Sequence, residues 1–448
     1  MASPEPLTPE ALESRLAKWI PTYPDCSFIV ALSGGLDSTV LAHLLLELAA
    51  LRPDLRLRAV HVDHGLQPGA AEWSATCAAW CAQRGLPLEV IQLRLGSVPA
   101  GESLEAYARA HRRQAFTALL AEGEYLLTAH HCDDQSETVL LQLLRGAGVR
   151  GLAAMPTRSR LGRGWQLRPL LDYTRAQLRD LAAAADLTGI EDPMNADPRF
   201  DRAFLRQVLM PAINQRWPAA AGTLARSAGH LAEAQGLLDQ LAELDARELL
   251  QAGCVSVSGL RQLDPARQRN VLRWWIRACG LPLPSTRRLE SVLNDVVGAG
   301  EARSPVVRWP GAELRRHGDR LFAQPPLAAP LTDPVPIVPD EQLELPGLSV
   351  RLTLREGEGI ALPAPGETLE LRFGQLEHRL AWAPGRRPSR VRDLLRELGV
   401  PPWLRNRYPL VYRGASLLAV GSRVALTAKA EAGRPGVLPE IRWGAEIL

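Results

Sequence analysis

The feature that most limits what this chain can become is the alternation of short apolar runs with amphipathic stretches between residues 26 and about 190. CSFIVALSGG is rich in β-forming residues and ends on two glycines, and DSTVLAHLLLELAALR continues with apolar positions at helical spacing. RLRAVHVD then reads as a strand and AAEWSATCAAWCAQRG as a helix closed by Gly85. LPLEVIQLRL and EYLLTAHH are further strands, with SLEAYARAHRRQAFTALLAEG a helix between them and DDQSETVLLQLLRG a helix after. Strands separated by helices imply crossover connections, hence an α/β domain with a doubly wound parallel sheet covered on both faces.

Beyond this region the strand signal fades. AAAGTLARSAGHLAEAQGLLDQLAELDARELLQAG and DPARQRNVLRWWIRACG are amphipathic helices. Seven prolines between Pro325 and Pro346 read as a stiff linker. LSVRLTLREG and LELRFGQLEHRLAWAPG then alternate like antiparallel strands around one short helix, VRDLLRELG. The expected domains are a catalytic α/β domain over residues 1–218, a mainly helical domain over 219–324, a linker over 325–346 and a small α+β domain over 347–448.

Composition narrows the chemistry. Of 52 basic residues only two, Lys18 and Lys429, are lysine. A Walker-type phosphate loop or a kinase-like site needs a lysine in its motif, and neither can exist here. If the protein handles phosphates, backbone amides, hydroxyls and arginines must do it. No apolar run approaches the ~18 residues of a membrane span, and no secretory signal opens the chain. Six scattered cysteines suit a reduced, cytoplasmic setting rather than a disulfide framework.

The strongest local signal is Ser33-Gly34-Gly35-Leu36-Asp37-Ser38, between the first strand and the first helix. In a parallel sheet that is the crevice where ligands bind, and a helix amino terminus offers unpaired amides to an anion. Ser33 and Ser38 add hydroxyls, and Asp37 can hold a magnesium ion on the phosphates. A second cluster, His130-His131-Cys132-Asp133-Asp134-Gln135-Ser136-Glu137-Thr138, follows the strand EYLLTA on the same rim. Arg109 and Arg112 project together from one helix, ready for a phosphate or carboxylate. His64 ends the second strand as either a nucleotide contact or a turn residue. Arg202 and Arg206, four apart on a helix, are either ligands or solvated charges.

Taken together these elements resemble the PP-loop ATPases, which split ATP between its α and β phosphates, and within that group the tRNA(Ile)-lysidine synthetases. Ser33–Ser38 fits SGGxDS, and His64-Gly65-Leu66 fits the strand-two element. Glu105, Arg109 and Arg112 fit ExxARxxR, and His131 through Thr138 matches HxDDQxET. Arg145 to Leu152 matches RGxGxxGL, Asp192-Pro193-Met194-Asn195 with Arg202 and Arg206 fits DPxN…R…R, and Val400 to Leu410 is similar to VPPWxRxRxPL. Arg113, Ala203, Arg392 and Asp393 depart from residues frequent in the family.

The resemblance implies ATP and Mg2+ at Ser33, Gly34, Gly35, Leu36, Asp37, Ser38 and His64. It implies adenylylation of the wobble cytidine of a CAU-anticodon tRNA(Ile), then displacement of AMP by the ε-amine of free L-lysine. Asp133, Asp134 and Glu137 would bind and deprotonate that amine, with Arg109 and Arg112 on the adenylate phosphate or the lysine carboxylate. Positive surface for tRNA is expected at Arg202, Arg206, Arg315, Arg316, Arg390, Arg392, Arg405 and Arg407, with Trp403 and Tyr408 as stacking faces. Eight arginines against Asp393 and Glu397 give residues 381–413 a local charge of +6, although the whole chain carries only +3. A homodimer is compatible with all of this. The rival readings are another PP-loop enzyme, a thiolase or an amide-forming synthetase, and a non-catalytic RNA-binding protein.

Overall fold

A Thr8 hydroxyl accepting from the Ala11 amide starts α1 (Pro9–Trp19), which leads into β1 (Ser27–Ala31), buried on both faces. This is a computed structural model; it describes residues 6–23, 25–65, 69–93, 95, 96, 98, 104–190, 199–300, 303–345, 348–356, 359–364, 366–431 and 434–443. The chain divides into two units, Met1–Leu237 and Leu238–Leu448.

In the first unit the alternation continues as α2 (Leu36–Leu51), β2 (Arg56–Asp63), α3 (Ala70–Gln83), β3 (Leu88–Gln92), α4 (Leu104–Leu119), β4 (Glu124–Leu127) and α5 (Cys132–Leu144). A short α6 (Val149–Leu152), the hairpin β5 (Arg158–Leu161) and β6 (Gly164–Leu167), and α7 (Arg175–Ala184) follow. The sheet order is β3-β2-β1-β4-β6-β5, with every pair parallel except β5 and β6. Alternate residues of β1 serve two cores. Phe28 and Val30 pack with Leu12, Leu41, Leu44 and Leu178 on one face, while Ile29 joins Val60, Phe116 and Leu126 on the other. The strand order reverses between β1 and β4, so the loops after these two strands flank the crevice at the switch point.

After α7 come α8 (Asp201–Phe204), a π-helical stretch Leu205–Leu209, α9 (Met210–Arg216) and the long α10 (Ala220–Leu249), which contains the division between units.

The second unit opens with β7 (Leu250–Gln251), β8 (Cys254–Ser256), α11 (Val257–Gln262), α12 (Pro265–Ala278), α13 (Thr286–Ser291), β9 (Val306–Trp309), β10 (Ala312–His317) and β11 (Arg320–Gln324). A mainly helical domain was the expectation for 219–324, yet these strands form a five-stranded sheet, β7-β8-β11-β10-β9. Their signal is hidden because the strands are short, and in β10 the adjacent Arg315 and Arg316 fall on opposite faces.

The proline-rich stretch is also not a bare linker. It contains β12 (Val335–Ile337) and β13 (Gln342–Leu345), both at sheet edges. Pro336 is tolerated there because an edge strand does not need every amide. The remaining elements are β14 (Leu348–Glu356), β15 (Ile360–Ala361), β16 (Leu369–Arg372), β17 (Arg379–Leu380), β18 (Ser389–Arg390), α14 (Val391–Glu397), α15 (Pro402–Arg405), β19 (Leu410–Arg413), β20 (Ser416–Val420), β21 (Arg423–Val424) and β22 (Pro435–Trp443). They build the sheets β12-β16-β19-β20-β21 and β13-β14-β22-β15 around one core that includes Leu371, Leu394, Leu404 and Val411.

Candidate active site

The turn after β1 is shaped by two glycines. Gly34 has φ of +84°, and a Cβ there would lie 2.8 Å from Ile190 Cδ1 and 3.1 Å from Cys77 Sγ. Gly189 lets the segment after α7 press against the start of α2, where a Cβ would meet the Leu36 amide nitrogen at 2.3 Å. The Ile190 amide donates to the Gly34 carbonyl at 2.9 Å, tying the two segments together. Gly34→Ala is therefore expected to destabilise the first unit by about 1–3 kcal/mol. Urea denaturation checks this; an unchanged midpoint would mean the turn relaxes freely.

Within the turn the Ser38 hydroxyl donates to the Gly35 carbonyl at 2.8 Å and lies 3.1 Å from the Ser33 hydroxyl. No side chain caps α2, whose first amides lack intrahelical partners. Ser33, Gly35, Asp37 and Ser38 line a cavity of about 460 Å³ together with His64, Arg109, Arg112, Arg113, His130 and Arg168. Gly34 and Leu36 are not on its wall: Gly34 is buried beneath Ile190, and Leu36 packs against the core.

The cluster after β4 separates its charges. His131 is 1% exposed and sits between three carboxylates, at 3.5 Å from Asp37, 3.6 Å from Asp133 and 3.4 Å from Asp134. Burial alone would lower this imidazole, but the facing carboxylates outweigh it and push it up to about 10, so it is a cation at neutral pH. Burial would likewise raise the Asp37 carboxyl, but His131, Arg175 and Arg206 hold it below its usual value. Asp133, accepting from the Arg175 amide at 2.8 Å, is lowered in the same way against its burial. Glu137, only 2% exposed, goes the other way: burial raises it despite Arg206.

Arg206 is the hub of this group. Its Nε and Nη2 donate to the two Glu137 oxygens at 2.7 and 3.0 Å, and Nη2 also reaches Asp134 at 3.0 Å. Asp134 in turn accepts from the His131 amide at 3.1 Å, closing the first turn of α5. Arg206 is thus committed to carboxylates inside the protein, a correction to its expected role on tRNA. A smaller cavity of about 150 Å³ lies beside it, lined by Asp133, Glu137, Arg175, Arg206 and Asn214. The Asn214 Oδ1 there is buried without a hydrogen-bond partner among the described residues, and nothing in the sequence had singled this residue out. Arg202 donates to Thr138 at 3.2 Å. Leu66 and Asp192 to Asn195 lie outside the described residues, as does the side chain of Glu105.

In the second unit the expected RNA-facing residues divide. Arg316 is 1% exposed and donates to the carbonyls of Gly318, Val297 and Ala299, so it is a structural residue. It faces inward because alternate residues of β10 point to opposite sides. Tyr408 is also buried, not a stacking face. Trp403 is half-buried, edge-on to Phe322 and His317, with the Arg315 guanidinium 5.2 Å from its ring. Arg315 itself is held by Glu313. Arg405 donates to the Val400 carbonyl, and the Arg407 Nε is buried without a partner among the described residues. Arg390 and Arg392 are more exposed and share Glu377.

Cys26, Cys77, Cys81, Cys132 and Cys254 are free, buried thiols. Burial pushes the Cys77 thiol up to about 11. Among the described residues no helix is long and apolar enough to cross a membrane.

A glycine turn at the switch point of a parallel sheet, opening onto an arginine-lined cavity, defines a PP-loop ATP-using domain, and the family model described as a PP-loop domain matches residues 9–213. Two further models, a TilS substrate binding domain and a TilS substrate C-terminal domain, match residues 256–322 and 369–443. The chain is 43% identical to a tRNA(Ile)-lysidine synthase of Alkalilimnicola ehrlichii over 97% of both chains. It is 40% identical to the one of Coxiella burnetii over 92% of both, and 42% identical to that of Pseudomonas aeruginosa over 94% of this chain and 96% of the relative. The chain belongs to the tRNA(Ile)-lysidine synthase family.

Proposed function

We propose that this ATP-dependent ligase converts the wobble cytidine of a CAU-anticodon tRNA(Ile) to lysidine, with free L-lysine as the amine donor. The observation that carries the reading is the convergence of the Ser33–Ser38 turn with Arg109, Arg112 and Arg168 on one cavity at the sheet's switch point. In the first step the cytidine 2-oxo oxygen attacks the ATP α-phosphate, and pyrophosphate leaves. In the second the lysine ε-amine attacks C2, AMP leaves with the oxygen, and the amine loses a proton.

Loop amides with Ser33 and Ser38 hold the departing phosphates, while Arg109 and Arg112 stabilise charge on the phosphoryl group. Asp37 fits a magnesium ion, since its Oδ1 is buried without a hydrogen-bond partner among the described residues; bound there, the ion would offset the charge of the pyrophosphate. A lysine ammonium, with pKa near ~10.4, must be deprotonated before it attacks. The smaller cavity suits that amino acid: Asp133 and Glu137 face its amines, Arg175 its carboxylate, and Asn214 offers an acceptor. Glu137, raised by burial, is the better proton acceptor of the two. Asp134 positions Arg206 and His131 rather than meeting substrate.

Pyrophosphate release that requires CAU tRNA, followed by incorporation of labelled lysine, is the expected result. Release without any lysine-dependent product would sink the reading. On the RNA side, Arg390→Ala with Arg392→Ala should weaken tRNA binding and lower its salt slope by about two, roughly one per lost phosphate contact. Arg316→Ala should leave the slope unchanged and cost about 2 kcal/mol of stability by stranding buried carbonyls. Filter binding across salt concentrations and urea denaturation separate these outcomes.

A further inference from the structure

We propose that His130 binds the nucleotide as a neutral hydrogen-bond donor through Nε2, its tautomer imposed by a relay from Arg168 through Gln166 and Thr128. The proposal deepens the reading above, because it rests on the larger cavity taking the nucleotide.

The relay is directional. Arg168 can only donate, and its Nη2 reaches Gln166 Oε1 at 2.8 Å. That fixes the Gln166 amide, whose Nε2 donates to Thr128 Oγ1 at 3.1 Å. The Thr128 oxygen has then accepted one proton and has one of its own to give. It lies 3.0 Å from His130 Nδ1 and 3.4 Å from the Leu167 carbonyl, which is long for an O–H···O bond and already accepts from the Thr128 amide at 3.0 Å, so the hydroxyl proton is assigned to the Nδ1 contact. His130 Nδ1 is therefore an acceptor, and the ring's single proton sits on Nε2.

Placement gives the relay a purpose. Thr128, Gln166 and Arg168 are all buried, and with His130 they line the larger cavity. Arg168 itself is anchored by donating to the Pro156 carbonyl at 2.8 Å and to the Ser159 hydroxyl at 3.3 Å, so the chain ends on fixed backbone. The charged groups acting on His130 are Arg109 and Arg112 from α4, Arg168 after β6 and Arg202 from α8. Burial first, then these four guanidiniums, holds the imidazole well below its ordinary value. These surroundings favour the neutral ring, and a neutral ring in an undefined tautomer would present a lone pair to a phosphate oxygen half the time. The relay removes that alternative. His130 is a substrate-binding residue, and Thr128 and Gln166 are positioning residues.

Gln166→Glu supplies the test, since it reverses the relay. A carboxylate still accepts from Arg168, but its second oxygen now takes the Thr128 proton, and Thr128 must accept from His130 Nδ1. In ¹⁵N-histidine spectra of the full chain without substrate, wild type should show His130 as the Nε2–H tautomer with no titration between pH 5.5 and 8. His130→Asn assigns the signal, and Gln166→Glu should shift it to Nδ1–H. Thr128→Val should lower kcat/KM for ATP in tRNA-dependent pyrophosphate release about tenfold or more, while Thr128→Ser, which keeps the hydroxyl, restores it. An Nδ1–H signal in wild type overturns the proposal, as does a Thr128→Val enzyme with wild-type kcat/KM. Failure of wild type to release pyrophosphate with CAU tRNA would instead overturn the functional reading.

Discussion

Replacing Asp37 with alanine is expected to lower tRNA-dependent pyrophosphate release by about 10³-fold while changing tRNA affinity less than about twofold. The magnitude follows from removing the one carboxylate at the phosphate turn that fits a cation, a loss comparable to or larger than that of a single oxyanion donor. Folding should survive. Asp37 is one of three carboxylates around His131, and Asp133 and Asp134 remain to hold that cation. The backbone of the turn is set by Gly34 and by the Ser38 hydroxyl, not by the Asp37 side chain. Single-turnover pyrophosphate release and filter binding at fixed salt give the two readouts. A variant that loses tRNA affinity in parallel with activity would move Asp37 from the chemistry to the architecture.

The second large effect is on stability. Arg206→Ala would leave Glu137, 2% exposed, as a buried carboxylate without its bidentate partner. Breaking a buried pair from one side costs about 3–5 kcal/mol, far more than the pair is worth against an apolar substitute. The pH dependence has a definite sign. Burial already raises Glu137 above its usual value, and losing Arg206 raises it further. A carboxyl raised in the folded state destabilises at neutral pH and is relieved by protonation. The deficit of the variant should therefore shrink as the pH falls from neutral toward the ordinary carboxylate range. Pairing Arg206→Ala with Glu137→Gln should recover part of the loss, because no charge is then buried. A deficit below about 0.5 kcal/mol in the single variant would show that water reaches Glu137 without cost.

How much of this was legible in the sequence depends on the length over which each signal is written. The parallel sheet was readable because β1, β2, β3 and β4 are each followed by a helix, and periodicity accumulates over the whole of such a unit. The turn Ser33–Ser38 and the cluster after β4 were readable because several chemistry-bearing residues are contiguous. The hairpin β5–β6 and the strands β9 to β11 were not, since runs of four to six residues are too short to carry much alternation. Single polar residues were equally invisible: Gln166, Arg168 and Asn214 stand alone in sequence and gain meaning only from what the fold brings beside them. The same limit explains Arg316. Counting arginines between residues 303 and 320 measures charge, but only strand alternation decides which guanidinium faces solvent and which is spent on the carbonyls at Val297 and Ala299.

The cationic wall of the larger cavity has one more consequence. Burial and the neighbouring Arg109 and Arg113 bring even Arg168 down to about 10. A lysine in its place, starting near ~10.4 rather than ~12.5, would expose more free amine at neutral pH than a guanidinium does. Lys18 and Lys429 are both absent from the residues lining either cavity. On the proposed reaction the activated cytidine waits for a primary amine, and any lysine on the wall would compete for it and become trapped as an adduct. Guanidinium groups supply the charge without the nucleophilicity, which on that reaction would protect the enzyme from its own intermediate.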